Sequence, residues 1–288
     1  MADVLDEGLL AELETIAVEL ARLGGQEIRA ALGKMQEVRY KGAASDPLRF
    51  TDPVSDVDAR VEYMIRERLA ESFPDHDIIG EEMDHRPGRG HDFLWAVDPI
   101  DGTANFINGF PLFASSVGLL FRGSPVVGAL WCSSSHTLEA GIYHAVAGRD
   151  LRFNGAPHAP ARSPLVRRRL GGEPYADRQR LSWDGRKTGS AAIECAFVAA
   201  GLLEMAWFER PNIWDVAGGL ALVLASGGKA MERGADAWRN FQSFAQGERE
   251  LADWTMPLAI GSEQALGEFT ASRSQISEAL AGPGSDRS

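Results

Sequence analysis

The stretch Trp95–Phe106, WAVDPIDGTANF, constrains this chain more than any other part of it. An apolar run of strand length ends at Asp98, Pro99 stiffens the backbone, and Asp101 follows before Gly102 and Thr103 open a helix. Two carboxylates ~4 Å apart repel by ~1 kcal/mol in water and ~4 kcal/mol at an effective dielectric of about 20, so the pair calls for a cation. Oxygen-only ligation with no Cys or His nearby favours Mg²⁺ or Mn²⁺ over zinc. Gly102 permits close backbone approach, and the N–H groups of Gly102, Thr103 and Ala104 at a helix start suit phosphate oxygens. The alternative reading of DPIDGT is a Pro/Gly/Asp-rich turn that only caps a helix.

The surroundings favour the first reading. Ile78-Ile79-Gly80-Glu81-Glu82 places two more acids at the end of a short apolar run. Asp56 and Asp58 open an amphipathic helix whose apolar face is Val57, Val61, Met64, Ile65 and Leu69. Downstream, Trp214-Asp215 begins an apolar helix running through Val223 and Leu224. Acids thus recur at element ends, where sites are built.

DPVSDVDARVE, FPDHDIIGEE, WAVDPIDGTANF, GSAAIECAFVAAG and WDVAGGLALVLASGG occur in this order along nearly the whole chain. In order and spacing the set resembles the inositol monophosphatases, within the wider group of magnesium-dependent, lithium-sensitive sugar and nucleotide phosphatases. The resemblance implies a five-layer αβαβα sandwich, α+β in its first half and α/β in its second, with the metal site between the halves. It implies that Glu81, Asp98 and the Ile100 carbonyl hold a first metal, and that Asp98, Asp101 and Asp215 hold a second, with Asp98 bridging. A third, looser ion would lean on Glu81. Asp58 would pair with the Thr103 hydroxyl to orient the attacking water, making Asp58, Glu81 and Thr103 the catalytic set. Gly102 and Thr103 would hold phosphate; Asp101, the backbone around Ala191 in TGSAA, and Glu209 in WFERPNIWD would contact the sugar. Glu209 also reads as an ordinary exposed acid. Two or three Mg²⁺ ions, or Mn²⁺ in their place, and a homodimer complete the expectation.

A phosphate monoester dianion repels hydroxide, so its hydrolysis near neutral pH needs cations to neutralise it and to stabilise the leaving alkoxide. Direct attack by water is expected, with no covalent phosphoenzyme, because Cys132 and Cys195 lack a sequence-adjacent base. The Thr103-Ala104-Asn105-Phe106 run resembles the inositol monophosphatase branch and points to a small polyol phosphate, myo-inositol monophosphate foremost. Histidinol phosphate, fructose bisphosphate and nucleotide 3′-phosphates are alternatives. A regulatory module binding RNA or a transcription complex is an alternative of another kind, resting on Arg167, Arg168, Arg169, Arg178, Arg180, Arg186 and Lys187. The chain departs from the family pattern in two places: the KGAASDPLRF loop, 41–52, is lengthened so that Lys41 lies further from Asp58, and WCSSS replaces an aromatic-x-Pro pattern.

Composition agrees. The 288 residues, 44% hydrophobic, suffice for a substantial core, read as one catalytic domain with halves 1–150 and 151–280 and a flexible tail 281–288. A net charge of −12 argues against general nucleic-acid affinity. Two distant cysteines give no disulfide framework. The N-terminal pattern Leu9, Leu13, Ile16, Leu20, Leu23 is helical and acidic, unlike a signal peptide, and the longest apolar run, around Leu220 to Ala225, is too short to cross a bilayer; a cytoplasmic enzyme is expected. His76, His85 and His91 read as loop residues and not ligands.

Overall fold

The computed structural model describes residues 5–34, 38–40, 53–83, 92–160, 165–166, 168–174, 182–235, 237–245 and 251–281. In chain order the first half runs α1 (Glu7–Ala31), β1 (Val38–Tyr40), β2 (Pro53–Ser55), α2 (Asp56–Ser72), β3 (Asp77–Gly80), β4 (Phe93–Asp101), α3 (Thr103–Asn108), β5 (Ala114–Phe121), β6 (Ser124–Cys132), β7 (Gly141–Val146), β8 (Arg152–Phe153) and β9 (Ala156–Pro157). The second half runs β10 (Arg169–Gly172), β11 (Trp183–Arg186), α4 (Ala191–Ala199), β12 (Met205–Phe208), α5 (Ile213–Ala225), β13 (Lys229–Arg233), β14 (Trp238–Asn240), β15 (Leu258–Gly261) and α6 (Glu263–Ala281).

Strands β3 to β9 form one sheet in sequence order, antiparallel except for the β3/β4 pair. The second sheet has the order β11-β10-β12-β15-β13-β14 and is mixed, with β10 parallel to both its neighbours. Helices α1 and α2 cover the outer face of the first sheet, α4 and α5 lie between the sheets, and α6 covers the far face of the second. This is the expected five-layer αβαβα order.

The apolar pattern dictates that stacking. Side chains alternate across a strand, and β4 is apolar at every position from Phe93 to Val97, so it is buried on both faces. Trp95 and Val97 pack with α1 and α2, whereas Leu94 and Ala96 pack with α4 and α5. Helix α1 buries Leu13, Ala17, Leu20, Ala21 and Ile28 at helical spacing, and Asp6 caps it by accepting from the Gly8 and Leu9 amides. A separate cluster of Trp183, Met205, Trp207, Leu266 and Phe269 seats α6. Between the sheets, a Cβ on Gly118 or Gly128 would overlap the Gly218 backbone. Backbone contact without side chains draws α5 tight against β5 and β6, which delivers the Asp215 end of that helix to the strand ends where Asp98 lies.

Several boundaries differ from the sequence reading. The strand expected to stop at Asp98 continues to Asp101, although its register with β5 shifts between those two residues. Pro99 supplies no N–H to the ladder, which accounts for the irregularity. The β5–β6 turn is only Arg122-Gly123, both at positive φ, so Ser124 and Pro125 belong to β6 and not to the turn. The sequence pattern reads Leu138 to His144 as a strand, but β7 starts only at Gly141, since Leu138 is highly exposed with φ of 64°. Lys41 and the 41–52 loop, His85, His91, Arg167, Arg178, Arg180 and the tail 282–288 lie outside the described residues. Among the described residues no helix is long and apolar enough to cross a membrane.

Candidate active site

Each acid singled out in the sequence is held by a neighbour that fixes its orientation. Asp58 is the N3 residue of α2, and its Oδ2 accepts from the Ser55 amide at 2.9 Å and the Ser55 hydroxyl at 2.6 Å. Its Oδ1 accepts from the Thr103 hydroxyl at 3.1 Å, and that hydroxyl also reaches the Ile100 carbonyl at 2.8 Å. Asp215 repeats the arrangement on α5, with Oδ2 accepting from the Asn212 amide at 2.8 Å. Both are capping boxes, so helix-start chemistry and site geometry share the same carboxylates.

Glu81 follows the end of β3, where the next two amides are gripped by a buried partner. Glu62 accepts from the Glu82 amide at 2.7 Å and the Met83 amide at 3.2 Å, and pairs with Arg66 at 2.8 Å. Asp101 is held from the second half of the chain: its Oδ2 accepts from the Ser190 hydroxyl and the Ala192 amide, each at 2.5 Å. The expected substrate residues fall near this junction in different ways. Ala191 opens α4 beside Asp101, and Glu209 is exposed at the end of β12. Gly102 adopts φ of 88° and a Cβ there would sit 3.1 Å from the Leu112 carbonyl and 3.2 Å from Ser190 Cβ, so the turn into α3 needs glycine twice over.

Electrostatics mark the cluster. Burial, then the charge of Glu81 and the neighbouring aspartates, pushes the Asp98 carboxyl well above the ordinary carboxylate range; Asp215 is raised by burial and by Asp101. Burial raises Asp101 and Asp58 to about 6, against the hydrogen bonds of Ser190 and Ser55 respectively. Burial likewise raises Glu194 to about 7, its Thr188 bonds opposing. Like charges that raise one another's proton affinity are what a cation would relieve.

Among the described residues no three His, Cys, Asp or Glu side chains are gathered closely enough to make a metal cage by themselves. A hard ion such as Mg²⁺ takes one or two carboxylates, several waters and substrate phosphate. The fit rests on Asp98: its Oδ1 is buried with no hydrogen-bond partner among the described residues. A bare buried carboxylate oxygen is costly, and a cation satisfies it where a proton donor is missing. Glu81, Asp98, Asp101, Asp215 and the Ile100 carbonyl are the donor set that fits such an ion.

Other candidates fall away. Cys132 and Cys195 are buried thiols pushed well up by desolvation, unsuited to nucleophilic attack. His76 stacks between Phe73 and Phe93 and accepts from Trp95 Nε1, a core role. Arg168 pairs with Asp184 and Arg169 with Glu204, which neutralises the described centre of the basic cluster. Two clefts of 490 and 530 Å³ lie elsewhere and neither includes an acid of this cluster. Ser55, Glu62, Ser190, Glu194 and Asn212 escape the sequence reading. The S-x-x-D and N-x-x-D spacings of the capping boxes reveal Ser55 and Asn212 in retrospect; nothing local in the sequence announces the other three.

Residues 9–251 match the model of the inositol monophosphatase family. The chloroplastic phosphatase IMPL1 of Arabidopsis thaliana is 32% identical over 234 residues, covering 73% of this chain and 60% of that protein. The fructose-1,6-bisphosphatase/inositol-1-monophosphatase of Aquifex aeolicus is 32% identical over 240 residues, 77% of this chain and 86% of its own. A Nus factor SuhB of Pseudomonas aeruginosa is 32% identical over 234 residues, 74% and 82% of the two chains. Among solved structures, the Thermotoga maritima IMPase superposes with a TM-score of 0.70 at 24% identity, over 92% of this chain and 98% of that one, a likeness of fold. Strand-end acids, their capping partners and the family match converge: the chain belongs to the inositol monophosphatase family and is a phosphoric monoester hydrolase.

Proposed function

We propose that this enzyme hydrolyses the phosphate ester of a small polyol, myo-inositol monophosphate foremost, with two or three Mg²⁺ ions held by Glu81, Asp98, Asp101, Asp215 and the Ile100 carbonyl. The observation that carries the reading is the partnerless, buried Oδ1 of Asp98 among mutually repelling acids. When bound, such ions neutralise phosphate, acidify a water and stabilise the leaving alkoxide, and Mn²⁺ meets the same demand for hard oxygen ligands.

The protein groups do the positioning. Thr103 has one proton and two acceptors, Asp58 Oδ1 and the Ile100 carbonyl, so its lone pairs remain to accept from a water and fix where that water's proton points. Asp58, with a proton affinity near neutrality and its other oxygen fixed by Ser55, is the proton acceptor of the pair. The Gly102–Thr103 backbone receives phosphate oxygens at the start of α3. Asp101, the Ala191 amide and Glu209 receive the hydroxyls of the polyol. The proposal includes a cytoplasmic homodimer.

The test is a phosphate-release panel with Mg²⁺: myo-inositol 1-phosphate, histidinol phosphate, fructose 1,6-bisphosphate and a nucleotide 3′-phosphate. Highest kcat/KM for the inositol ester supports the reading; preference for another member reassigns the substrate. A second reading, a module for RNA or a transcription complex, draws on the relative named a Nus factor. The ion-paired state of Arg168 and Arg169 weighs against it, and folded protein inactive on the whole panel would restore it.

A further inference from the structure

The segment Thr188–Ser190, between β11 and α4, is gripped from both sides. From α3, the Asn105 carboxamide donates to the Leu112 carbonyl at 2.6 Å and to the Thr188 carbonyl at 2.8 Å. From α4, Glu194 Oε1 accepts from the Thr188 hydroxyl at 2.8 Å and from its amide at 3.3 Å. The chain turns at Gly189, with φ of 78°, where a Cβ would press to 3.1 Å against the Asn105 amide group. Beyond the turn, Ser190 takes two roles. Its hydroxyl accepts from the Ile193 amide as the α4 cap and donates to Asp101, which also receives the Ala192 amide.

Burying a carboxylate is costly unless its oxygens are hydrogen-bonded. Glu194 is only 5% exposed, and its Oε2 lies where a Cβ on Gly172 would stand. What its burial secures is the position of Thr188, and Thr188 sets the turn that delivers Ser190. Two donors on one oxygen in turn hold the Asp101 carboxylate against rotation.

We propose that Glu194 is a positioning residue of the catalytic centre: by holding the amide and hydroxyl of Thr188 it aims the Ser190 hydroxyl and the Ala192 amide at Asp101. The inference rests on the reading of Asp101 as a ligand of metal and substrate. Asn105 holds the same segment from the other half of the molecule, so the turn joins the two halves at that ligand.

The test compares Glu194→Ala, Glu194→Gln, Thr188→Val, the Glu194→Ala/Thr188→Val double variant and Asp101→Asn. Mg²⁺ binding to the protein alone is read by titration calorimetry, beside kcat and KM for myo-inositol 1-phosphate, with circular dichroism to establish folding. Glu194→Ala should weaken Mg²⁺ binding and lower kcat by about tenfold each while KM changes less than about threefold, because Asp101 is misaligned but present. Glu194→Gln keeps an acceptor at Oε1 and should recover to within about threefold of the parent. Thr188→Val should lose as much or more, because it also removes the hydroxyl's bonds with the Ser190 carbonyl and amide, and the double variant should lose much less than the two losses multiplied, since Glu194 acts through Thr188. Should Glu194→Ala not fold, Glu194→Leu, which fills the space without an acceptor, takes its place: weakened Mg²⁺ binding sustains the proposal and parental binding overturns it. Parental values in folded Glu194→Ala and Thr188→Val, with losses in Asp101→Asn, overturn this inference and leave the site reading standing. Parental values in Asp101→Asn as well remove the site reading and this inference together.

Discussion

Acidifying the metal-free protein should stabilise it, contrary to the usual effect of acid. Asp58 and Asp101 sit in the fold with proton affinities raised from 3.8 to about 6, and Glu194 from 4.5 to about 7, each chiefly by burial. A group raised in the folded state contributes full relative stability below its unfolded value and loses it as pH climbs through the folded one. A hundredfold gain in proton affinity corresponds to ~3 kcal/mol per group. Between pH 8 and pH 5 roughly half of that returns for each aspartate and most of it for Glu194, together ~3–5 kcal/mol. For a chain of this size that is a rise in Tm of roughly 5–10 °C. Below about pH 4.5 the trend should reverse, because groups such as Glu14, lowered by its bond to His144, lose their contribution as they protonate. The assay is thermal unfolding by circular dichroism across pH 4–8 after exhaustive chelation, repeated with saturating Mg²⁺. With Mg²⁺ the slope should flatten or invert, since the ion needs the carboxylates ionised and competes with protons. Steady loss of Tm from pH 8 to pH 5 without metal, or identical profiles with and without Mg²⁺, would refute the reasoning.

Three substitutions separate the parts of the site. Thr103→Ala removes the hydroxyl that joins Asp58 to the Ile100 carbonyl and should lower kcat by ~10²-fold or more on every substrate, checked on an inositol ester and an aryl phosphate. Glu209→Gln should instead reorder substrates, raising KM for polyol esters more than for the aryl ester; equal losses on both would remove Glu209 from the polyol pocket. Gly102→Ala places a side chain at φ of 88° and against the Leu112 carbonyl and Ser190, costing ~1–3 kcal/mol and lowering both Tm and kcat; an unchanged Tm would mean that the turn tolerates a Cβ.

Local rules made the acids legible and left their supports hidden. Asp98 and Asp101 stand out because an apolar strand ends on them, and Asp58 and Asp215 because they open helices with clear periodicity. The layer order rests on the family resemblance, with which the apolar faces of β4 and α5 agree. Strand ends were less readable: Pro99 reads as a stop, yet β4 continues past it, because the ladder tolerates one missing donor at an irregular register. Leu138 reads as strand, yet its positive φ places it in a turn. Glu62, Ser190 and Glu194 lie 19 residues before, 89 after and 93 after the acids they serve, Glu81, Asp101 and Asp101, counted along the printed sequence. Only tertiary packing brings them there, and no periodicity encodes a contact of that range. The arginine run reads from sequence as a solvated loop or strand edge, with a docking patch the lesser reading, and nothing in it reveals that Arg168 pairs with Asp184 and Arg169 with Glu204.

On the proposed function a divalent ion satisfies Asp98 Oδ1, which has no hydrogen-bond partner among the described residues. This is tested most directly by phosphate release from myo-inositol 1-phosphate as Mg²⁺ is titrated into the parent protein and into Asp98→Asn, both verified as folded. The parent should show no turnover after chelation and a saturable rise with Mg²⁺. Asp98→Asn should lie at least ~10³-fold lower at every Mg²⁺ concentration, roughly 4 kcal/mol of lost transition-state stabilisation, with its fold intact because one repelling charge is gone. Turnover that is independent of Mg²⁺, or an Asp98→Asn variant within about tenfold of the parent, would contradict the account.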